Sequence, residues 1–198
     1  MTQARPVHPI EAESLRILGQ RLDLNGLAPE VRAVVERVVH ATADLDFAET
    51  MVVDGAAVAS GIAALRAGAP VIADVEMVRA GITGIPALCY LAGVPRVPPE
   101  PLTRSAAAMR LAAEQHPQGA VFVLGCAPTA LAELVRLAAA RALRPALVVG
   151  LPVGFVGAAE AKAELRASGL AAISNVGEKG GSGAAAAAVN ALVRLAGL

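Results

Sequence analysis

The chain has 198 residues, 56% of them hydrophobic and 17% charged, and this length suffices to bury a substantial core. Its 17 basic and 17 acidic residues balance, so the basic excess that is typical of nucleic-acid-binding proteins is absent. Cys89 and Cys126 have no metal-type spacing and predict neither a zinc site nor a disulfide scaffold. The composition favours a single domain over residues 1–198.

Two helices are predicted in the N-terminal part, at about residues 9–20 and 29–42. A proline at the start of each segment can occupy the first helical turn, and Asn25-Gly26 separates the two. The short connection predicts an N-terminal helical hairpin. In the second helix, apolar residues recur at helical spacing at Val31, Val34, Val35 and Val38.

After residue 50, short apolar segments alternate with longer helical segments. Strands are predicted at residues 51–53, 71–73, 120–124, 146–149 and 171–174, with a weaker candidate at 87–91 inside a loop at 81–101. Helices are predicted at residues 56–67, 103–115, 128–143, 158–167 and 183–196. Asp74 can cap a further short helix directly after the second strand.

This alternation predicts the fold class. Short apolar strands joined by helices form βαβ units with right-handed crossovers, whose parallel strands are covered on both faces. We therefore expect an α/β fold, a doubly wound three-layer αβα sandwich with a mainly parallel sheet, preceded by the N-terminal helical hairpin. In such folds ligands bind beyond the carboxyl ends of the strands.

No targeting or membrane segment is predicted. The N-terminal residues are not followed by the apolar block of a signal peptide. The alanine-rich run at 184–192 is of helix-core length and much shorter than the roughly 20 apolar residues that a bilayer requires. We therefore expect a cytoplasmic protein without a membrane partner.

Three glycine-rich loops follow predicted strands, at residues 125–129, 150–155 and 177–183. Glycines allow backbone N–H groups to approach an anionic ligand, although tight turns between a strand and a helix have the same composition. None of the loops contains a P-loop motif or a GxGxxG pattern followed by an acidic residue about 20 positions later. The nucleotide-binding fingerprints are therefore absent.

His40 is the histidine that best suits a catalytic site. It ends an apolar helical run, and Arg37 lies three residues earlier on the same helix face, which suits a substrate with carboxylates. A lone histidine at a helix end nevertheless has a structural role more often than a catalytic one. His8 and His116 lie at predicted helix ends and are interpreted as capping or surface residues. Arg104 lies near the N-terminus of another predicted helix, against the preference of the helix dipole, and is either a surface residue or an anion clamp.

Seven segments of the chain together carry a family resemblance. They are Ser14-Leu15-Arg16-Ile17, Arg37-Val38-Val39-His40-Ala41-Thr42, the run from Val71 to Ile82, Thr103-Arg104-Ser105-Ala106-Ala107, Gly125-Cys126-Ala127-Pro128-Thr129-Ala130-Leu131, Gly150-Leu151-Pro152-Val153-Gly154-Phe155-Val156 and Lys179-Gly180-Gly181-Ser182. These segments resemble motifs of the precorrin-8X methylmutase family, which includes the cobalt-precorrin-8 methylmutases. They appear in the family's order and span nearly the whole chain, and seven ordered motifs are far stronger evidence than one.

The resemblance implies an isomerase of cobalamin biosynthesis that works as a homodimer, with a large open pocket near the subunit interface. The implied substrate is precorrin-8X or cobalt-precorrin-8, a polycarboxylate tetrapyrrole. The implied reaction moves the methyl group on C11 of the ring to C12, giving hydrogenobyrinic acid or cobyrinic acid. A histidine-assisted 1,5-sigmatropic shift of this kind requires neither a cofactor nor a protein-bound metal.

The resemblance also implies roles for individual residues. The family's catalytic histidine falls on His40, and its substrate-contacting serine and arginine on the first two helices fall on Ser14 and Arg37. The arginine of the Thr-Arg-Ser motif falls on Arg104. We expect Arg104 and Lys179 to hold peripheral carboxylates of the substrate.

The chain departs from the family pattern in three loops. Cys126 replaces the usual asparagine of a Gly-Asn-Ala-Pro-Thr motif, and Glu178 stands where a basic residue usually precedes the lysine. The usual Glu-Ser-Lys reads Glu160-Ala161-Lys162. Three alternative functions remain open. The departures favour the first of them, a non-catalytic tetrapyrrole-binding paralogue of the same fold.

The second alternative is a nucleotide or phosphate enzyme that uses the loop at 177–183, and the absence of a nucleotide-binding fingerprint argues against it. The third is a purely structural domain, which would leave the ordered motifs unexplained.

Overall fold

The structure is a computed structural model, and it describes residues 8–98 and 102–198. Within these residues the sheet has six strands. Five of them contain three or four residues, and the third in chain order contains two. The strands are β1 (Met51–Val53), β2 (Val71–Ala73), β3 (Leu88–Cys89), β4 (Val121–Leu124), β5 (Leu147–Gly150) and β6 (Ala172–Asn175).

The helices have the following bounds. They are α1 (Pro9–Arg21), α2 (Pro29–Thr42), α3 (Phe47–Thr50), α4 (Gly55–Arg66), α5 (Glu76–Gly81), α6 (Arg104–Gln115), α7 (Pro128–Ala139), α8 (Ala158–Ala167) and α9 (Ser182–Ala196). A 3-10 turn at Leu91–Gly93 follows β3. None of these helices is long and apolar enough to cross a membrane.

The strand order in the sheet is β1-β6-β5-β4-β2-β3. All neighbouring strands are parallel except β1, which runs antiparallel to β6. The chain passes from β2 to β3 at one edge and then returns through β4, β5 and β6 toward the other edge. This reversal places a topological switch point between β2 and β4, which is where ligands bind in many open α/β sheets.

Helices cover both faces of the sheet because successive residues of a strand point to opposite faces. Val121 and Val123 of β4 pack in one core with α2, α4, α5 and α9, whereas Phe122 and Leu124 pack in a second core with α6, α7 and α8. The expected three-layer α/β sandwich with a mainly parallel sheet is therefore confirmed.

Helix α9 is central to the first of these layers. Its alanines at positions 184–188 are all buried, and their small side chains permit close approach of neighbouring helices. A methyl group on Gly81 of α5 would come within 2.8 Å of the Ala186 Cβ atom. Helix α2 packs along α9 in this layer, so a hairpin that precedes the sandwich as a separate unit is not confirmed.

Several local predictions differ from the structure. Helix α7 ends at Ala139 instead of residue 143, because Arg141 adopts a left-handed conformation and turns the chain so that Leu143 is buried. Only two residues of the candidate strand at 87–91 pair with β2, and residues 99–101 of the predicted loop lie outside the described residues. Asp74 caps no helix, because its carboxylate binds backbone N–H groups of another loop.

Candidate active site

The carboxyl ends of the five parallel strands, β2 to β6, and the loops that follow them lie along one side of the sheet, the ligand edge. Because β1 is antiparallel, its first residue, Met51, pairs with Asn175 at the end of β6. The segment that leads from α2 into β1 therefore lies beside the loop that follows β6. This arrangement brings the end of α2, where His40 lies, to the edge at which the fold class predicts ligand binding.

Ser14 and His40 are in direct contact. The Ser14 Oγ atom lies 2.9 Å from the His40 Nδ1 atom, in a part-buried hydrogen bond between α1 and α2. Either atom can be the donor, depending on the imidazole tautomer. The bond fixes the orientation of the ring through Nδ1 and does not use Nε2, which is the nitrogen left to exchange a proton with a ligand.

Glu11 is a member of this cluster that the sequence interpretation missed. Its Oε1 atom accepts hydrogen bonds from Arg37 Nη1 and Arg194 Nη2, both at 3.0 Å. The hydrogen bond from Arg194 lowers the pKa of Glu11, and the positive charges of Arg194, Arg37 and His40 act in the same direction, while burial opposes them. Glu11 lies three residues before Ser14 on the same face of α1, and this spacing was the available signal.

A cavity of about 110 Å³ lies next to this cluster, between α1, α2 and α9. Glu11, Leu15, Arg37 and Arg194 are among the residues that line it. Sites for whole small molecules are typically several times larger. The cavity is therefore large enough for a small group, such as one side arm of a larger ligand, and not for a whole ligand of ordinary size.

Lys179 joins the loop after β6 to the segment after α2. Its Nζ atom lies 2.6 Å from Asp44 Oδ2 and 2.6 Å from Asp46 Oδ2. These bonds raise the pKa of Lys179, and the hydrogen bond from Lys179 lowers the pKa of Asp44 despite some desolvation. An ammonium group has three N–H donors, so these two bonds leave one N–H for a ligand carboxylate.

Arg104 lies in the other helical layer, away from His40. Its guanidinium donates to the carbonyl oxygens of Leu91 at 2.9 Å and of Val94 at 3.3 Å, and so it supports the 3-10 turn after β3. These carbonyl contacts explain a basic residue at a helix N-terminus, where the helix dipole alone disfavours it. Within one chain, the structure therefore brings Ser14, Arg37 and His40 together and leaves Arg104 apart.

The switch point between β2 and β4 is occupied by a buried carboxylate. Asp74 Oδ2 accepts hydrogen bonds from the backbone N–H groups of Cys126 at 2.8 Å and Ala127 at 2.9 Å. Burial raises the pKa of Asp74, although these N–H groups act in the opposite direction. The loop at 125–127 therefore directs these two N–H groups to an internal carboxylate, and they are not free for an anionic ligand.

The described residues thus form an α/β sandwich with a serine–histidine pair at the ligand edge of its sheet and cations nearby, an arrangement suited to proton transfer on a polyanionic ligand. A family model described as precorrin-8X methylmutase matches residues 9–195, and the chain belongs to this family of isomerases. The resemblance inferred from the seven motifs is therefore confirmed.

Individual relatives agree with this assignment. A cobalt-precorrin-8 methylmutase of Methanocaldococcus jannaschii is 39% identical over 184 residues, covering 91% of this chain and 86% of the relative. A precorrin-8X methylmutase of Pseudomonas aeruginosa is 41% identical over 194 residues, covering 92% and 93%. The crystal structure of a precorrin-8X methylmutase from Thermus thermophilus matches with a TM-score of 0.86 and 38% identity, over 96% of this chain and 98% of that one.

Proposed function

We propose that this isomerase moves the C11 methyl group of a precorrin-8X-type ring to C12, with His40 as the acid catalyst. The observation that carries the proposal is the Ser14–His40 hydrogen bond at the ligand edge of the sheet, in a chain that belongs to the methylmutase family. The identities to a precorrin-8X methylmutase and to a cobalt-precorrin-8 methylmutase are similar, at 41% and 39%, so they leave both forms of the ring as candidate substrates.

The proposed mechanism is an acid-assisted 1,5-sigmatropic shift. Proton transfer from the His40 Nε2 atom makes the conjugated ring electron-poor, which favours migration of the methyl group with its bonding electrons. The same imidazole then recovers a proton, so that substrate and product differ only in the position of the methyl group. An imidazole suits this cycle because its unperturbed pKa lies near neutral pH.

The basic residues are proposed to hold the acidic arms of the ring. Arg37 lines the small cavity beside the pair, and Lys179 retains one N–H beyond its bonds to Asp44 and Asp46. Ser14 keeps the imidazole in one orientation. Arg104, which lies in the other helical layer, is proposed to contact a more distant part of the ligand.

We also propose that the chain works as a homodimer. Phe155 and Val156, in the loop after β5, are 92% and 88% exposed, and such apolar side chains favour burial against a partner surface. Equilibrium sedimentation would reject this proposal by showing a monomer at micromolar concentration. The single domain over residues 1–198 and the cytoplasmic location remain predictions.

The decisive experiment compares His40→Ala with His116→Ala. Loss of a general acid typically slows a reaction by about 10²- to 10⁴-fold, so we expect His40→Ala to lose that much turnover of precorrin-8X or its cobalt form while still binding pigment. His116 bonds to Tyr90 in the other layer and serves as the matched control, with turnover near that of the wild type. The formation of product is followed by visible absorption.

The same assay separates the main alternative. A non-catalytic tetrapyrrole-binding paralogue, which the Cys126 and Glu178 departures favour, would bind the pigment without converting it in either metal form. Full turnover by His40→Ala would reject the assigned role of the imidazole and leave the family assignment intact.

A further inference from the structure

The chain contains only two lysines among its 17 basic residues, and the two are in contact. Lys162 lies on α8, and its Nζ atom donates a hydrogen bond to the backbone carbonyl oxygen of Lys179 at 2.6 Å. The proposed mechanism uses Lys179 but gives no role to Lys162. Every other basic side chain of the 17 is an arginine, so these two positions stand out as places where a compact ammonium is used.

Lys162 is completely buried, with 0% of its surface exposed. Its Nζ atom also donates to Asn175 Oδ1 at 3.0 Å. Burial lowers the pKa of Lys162 to about 8, the nearby charge of Arg166 acts in the same direction, and Glu178 opposes them. Burying an ammonium group costs free energy unless its N–H donors are hydrogen-bonded. Two donors of Lys162 are bonded here, and one of these bonds holds the backbone carbonyl of Lys179 in place.

Further bonds hold the same segment. Asn175 Nδ2 donates to the Lys179 carbonyl at 2.9 Å, and Arg166 Nη1 donates to the Asn175 carbonyl at 2.6 Å. The Gly181 N–H group donates to the Leu151 carbonyl at 2.9 Å. The backbone of Lys179 is therefore anchored on its buried side, while its side chain extends from the opposite side to the carboxylates after α2.

We propose that Lys162 is a positioning residue for substrate binding, which fixes the Lys179 backbone so that the Lys179 ammonium meets a carboxylate of the ligand. The inference rests on the proposed function, because it concerns the carboxylate-binding role of Lys179. It follows that Lys162 affects the affinity for a polycarboxylate pigment and has little effect on the chemical step at His40.

A double-mutant cycle tests this inference. The variants are Lys162→Met, Lys179→Met and the double variant, and the measurement is the Kd for hydrogenobyrinic acid, from absorption titration. If Lys162 acts through Lys179, each single change weakens binding by a similar factor, about tenfold, and the double change weakens it no further. Turnover of Lys162→Met at saturating substrate should stay within about twofold of the wild type, because Lys162 is proposed to act on binding and not on the chemical step.

A matched control separates this role from general stability. Arg136→Met, in the same helical layer, removes a hydrogen-bond donor to the buried Glu133 and is expected to lower Tm without changing the Kd. If Lys162→Met does not fold, Lys162→Gln replaces it in the cycle. Glutamine keeps the buried position polar, but its amide nitrogen lies one bond nearer the backbone than the lysine Nζ atom and so cannot keep the 2.6 Å bond to the Lys179 carbonyl.

Three results would overturn the inference: an unchanged Kd in the Lys162 variant, losses that multiply in the double variant, or a fall in saturating turnover with normal binding. An unchanged Kd in Lys179→Met would overturn it as well. If the wild-type protein binds the pigment but converts neither form of the substrate, the proposed function fails, while the cycle in Kd still decides the role of Lys162.

Discussion

Gly180 offers the sharpest test of how tightly the loop after β6 is packed. A Cβ atom at this position would lie 2.2 Å from the Leu151 carbonyl oxygen and 2.8 Å from both the carbonyl carbon and the carbonyl oxygen of Pro152. All three are backbone atoms, so no side chain can rotate away to make room. Gly180→Ala therefore has to move one loop against the other.

The size of the effect follows from these distances. A carbon–oxygen contact ordinarily needs about 3.3 Å, so the loops must separate by roughly 1 Å. That movement also stretches the hydrogen bond from the Gly181 N–H group to the Leu151 carbonyl. Overpacking typically costs about 1–3 kcal/mol, and we expect the upper end here because the contact is between backbones. For a chain of this length, the expected loss in Tm is about 6–12 °C.

Gly183→Ala is the matched control. Gly183 lies in the first turn of α9, is exposed, and has no atom within 4 Å of the position of an added Cβ. The substitution restricts the unfolded chain and should stabilise the protein by about 0.5 kcal/mol. Two glycines only three positions apart are therefore expected to respond with opposite signs.

Thermal and urea unfolding measure both variants, and pigment titration measures the functional consequence. Because Gly180 follows Lys179 directly, its displacement should also weaken the binding of hydrogenobyrinic acid. A Gly180→Ala protein with the stability of the wild type would refute the argument, since it would show that the two loops separate without cost. A destabilised variant with unchanged affinity would refute only the link to Lys179.

Two further predictions concern buried and half-buried carboxylates. Glu11→Gln should lower the free energy of unfolding at neutral pH by about 1–2 kcal/mol, because the 22% exposed Glu11 side chain loses charged bonds to Arg37 and Arg194. Since the pKa of Glu11 is lowered in the folded state, this contribution is present above the usual carboxyl pKa and is lost as the pH falls through the folded value. Urea unfolding should therefore show the variant and the wild type converging as the pH falls below the usual carboxyl pKa, while Glu13→Gln, an exposed change on the same helix, should stay close to the wild type. For Asp74, burial raises the folded pKa, so its contribution to stability decreases as the pH rises above the unfolded value. Asp74→Asn should accordingly gain stability relative to the wild type as the pH rises above the unfolded carboxyl pKa of about 4, and a gap that changes in the opposite direction would contradict the assigned cause.

Local patterns in the sequence were sufficient to predict the elements and the class of fold. Continuous apolar segments such as Val121–Leu124 predict strands that are buried on both faces, and valines at helical spacing predict α2, since both periodicities depend only on neighbouring residues. The ordered motifs identified the family, and two of the residues that they singled out, Ser14 and His40, are in contact in the structure.

Contacts between distant parts of the chain were decided only by the tertiary structure. Glu11 bonds to Arg194, 183 residues away, and Lys179 bonds to Asp44, 135 residues away. The antiparallel direction of β1 brings the end of α2 to the ligand edge, and the switch point determines that Asp74 binds the loop at 125–127. The spacing of apolar residues along one element indicates which of its faces is buried, but it does not indicate which other element packs against that face. The partner of a charged side chain depends on that packing, so it can be read only from the tertiary structure.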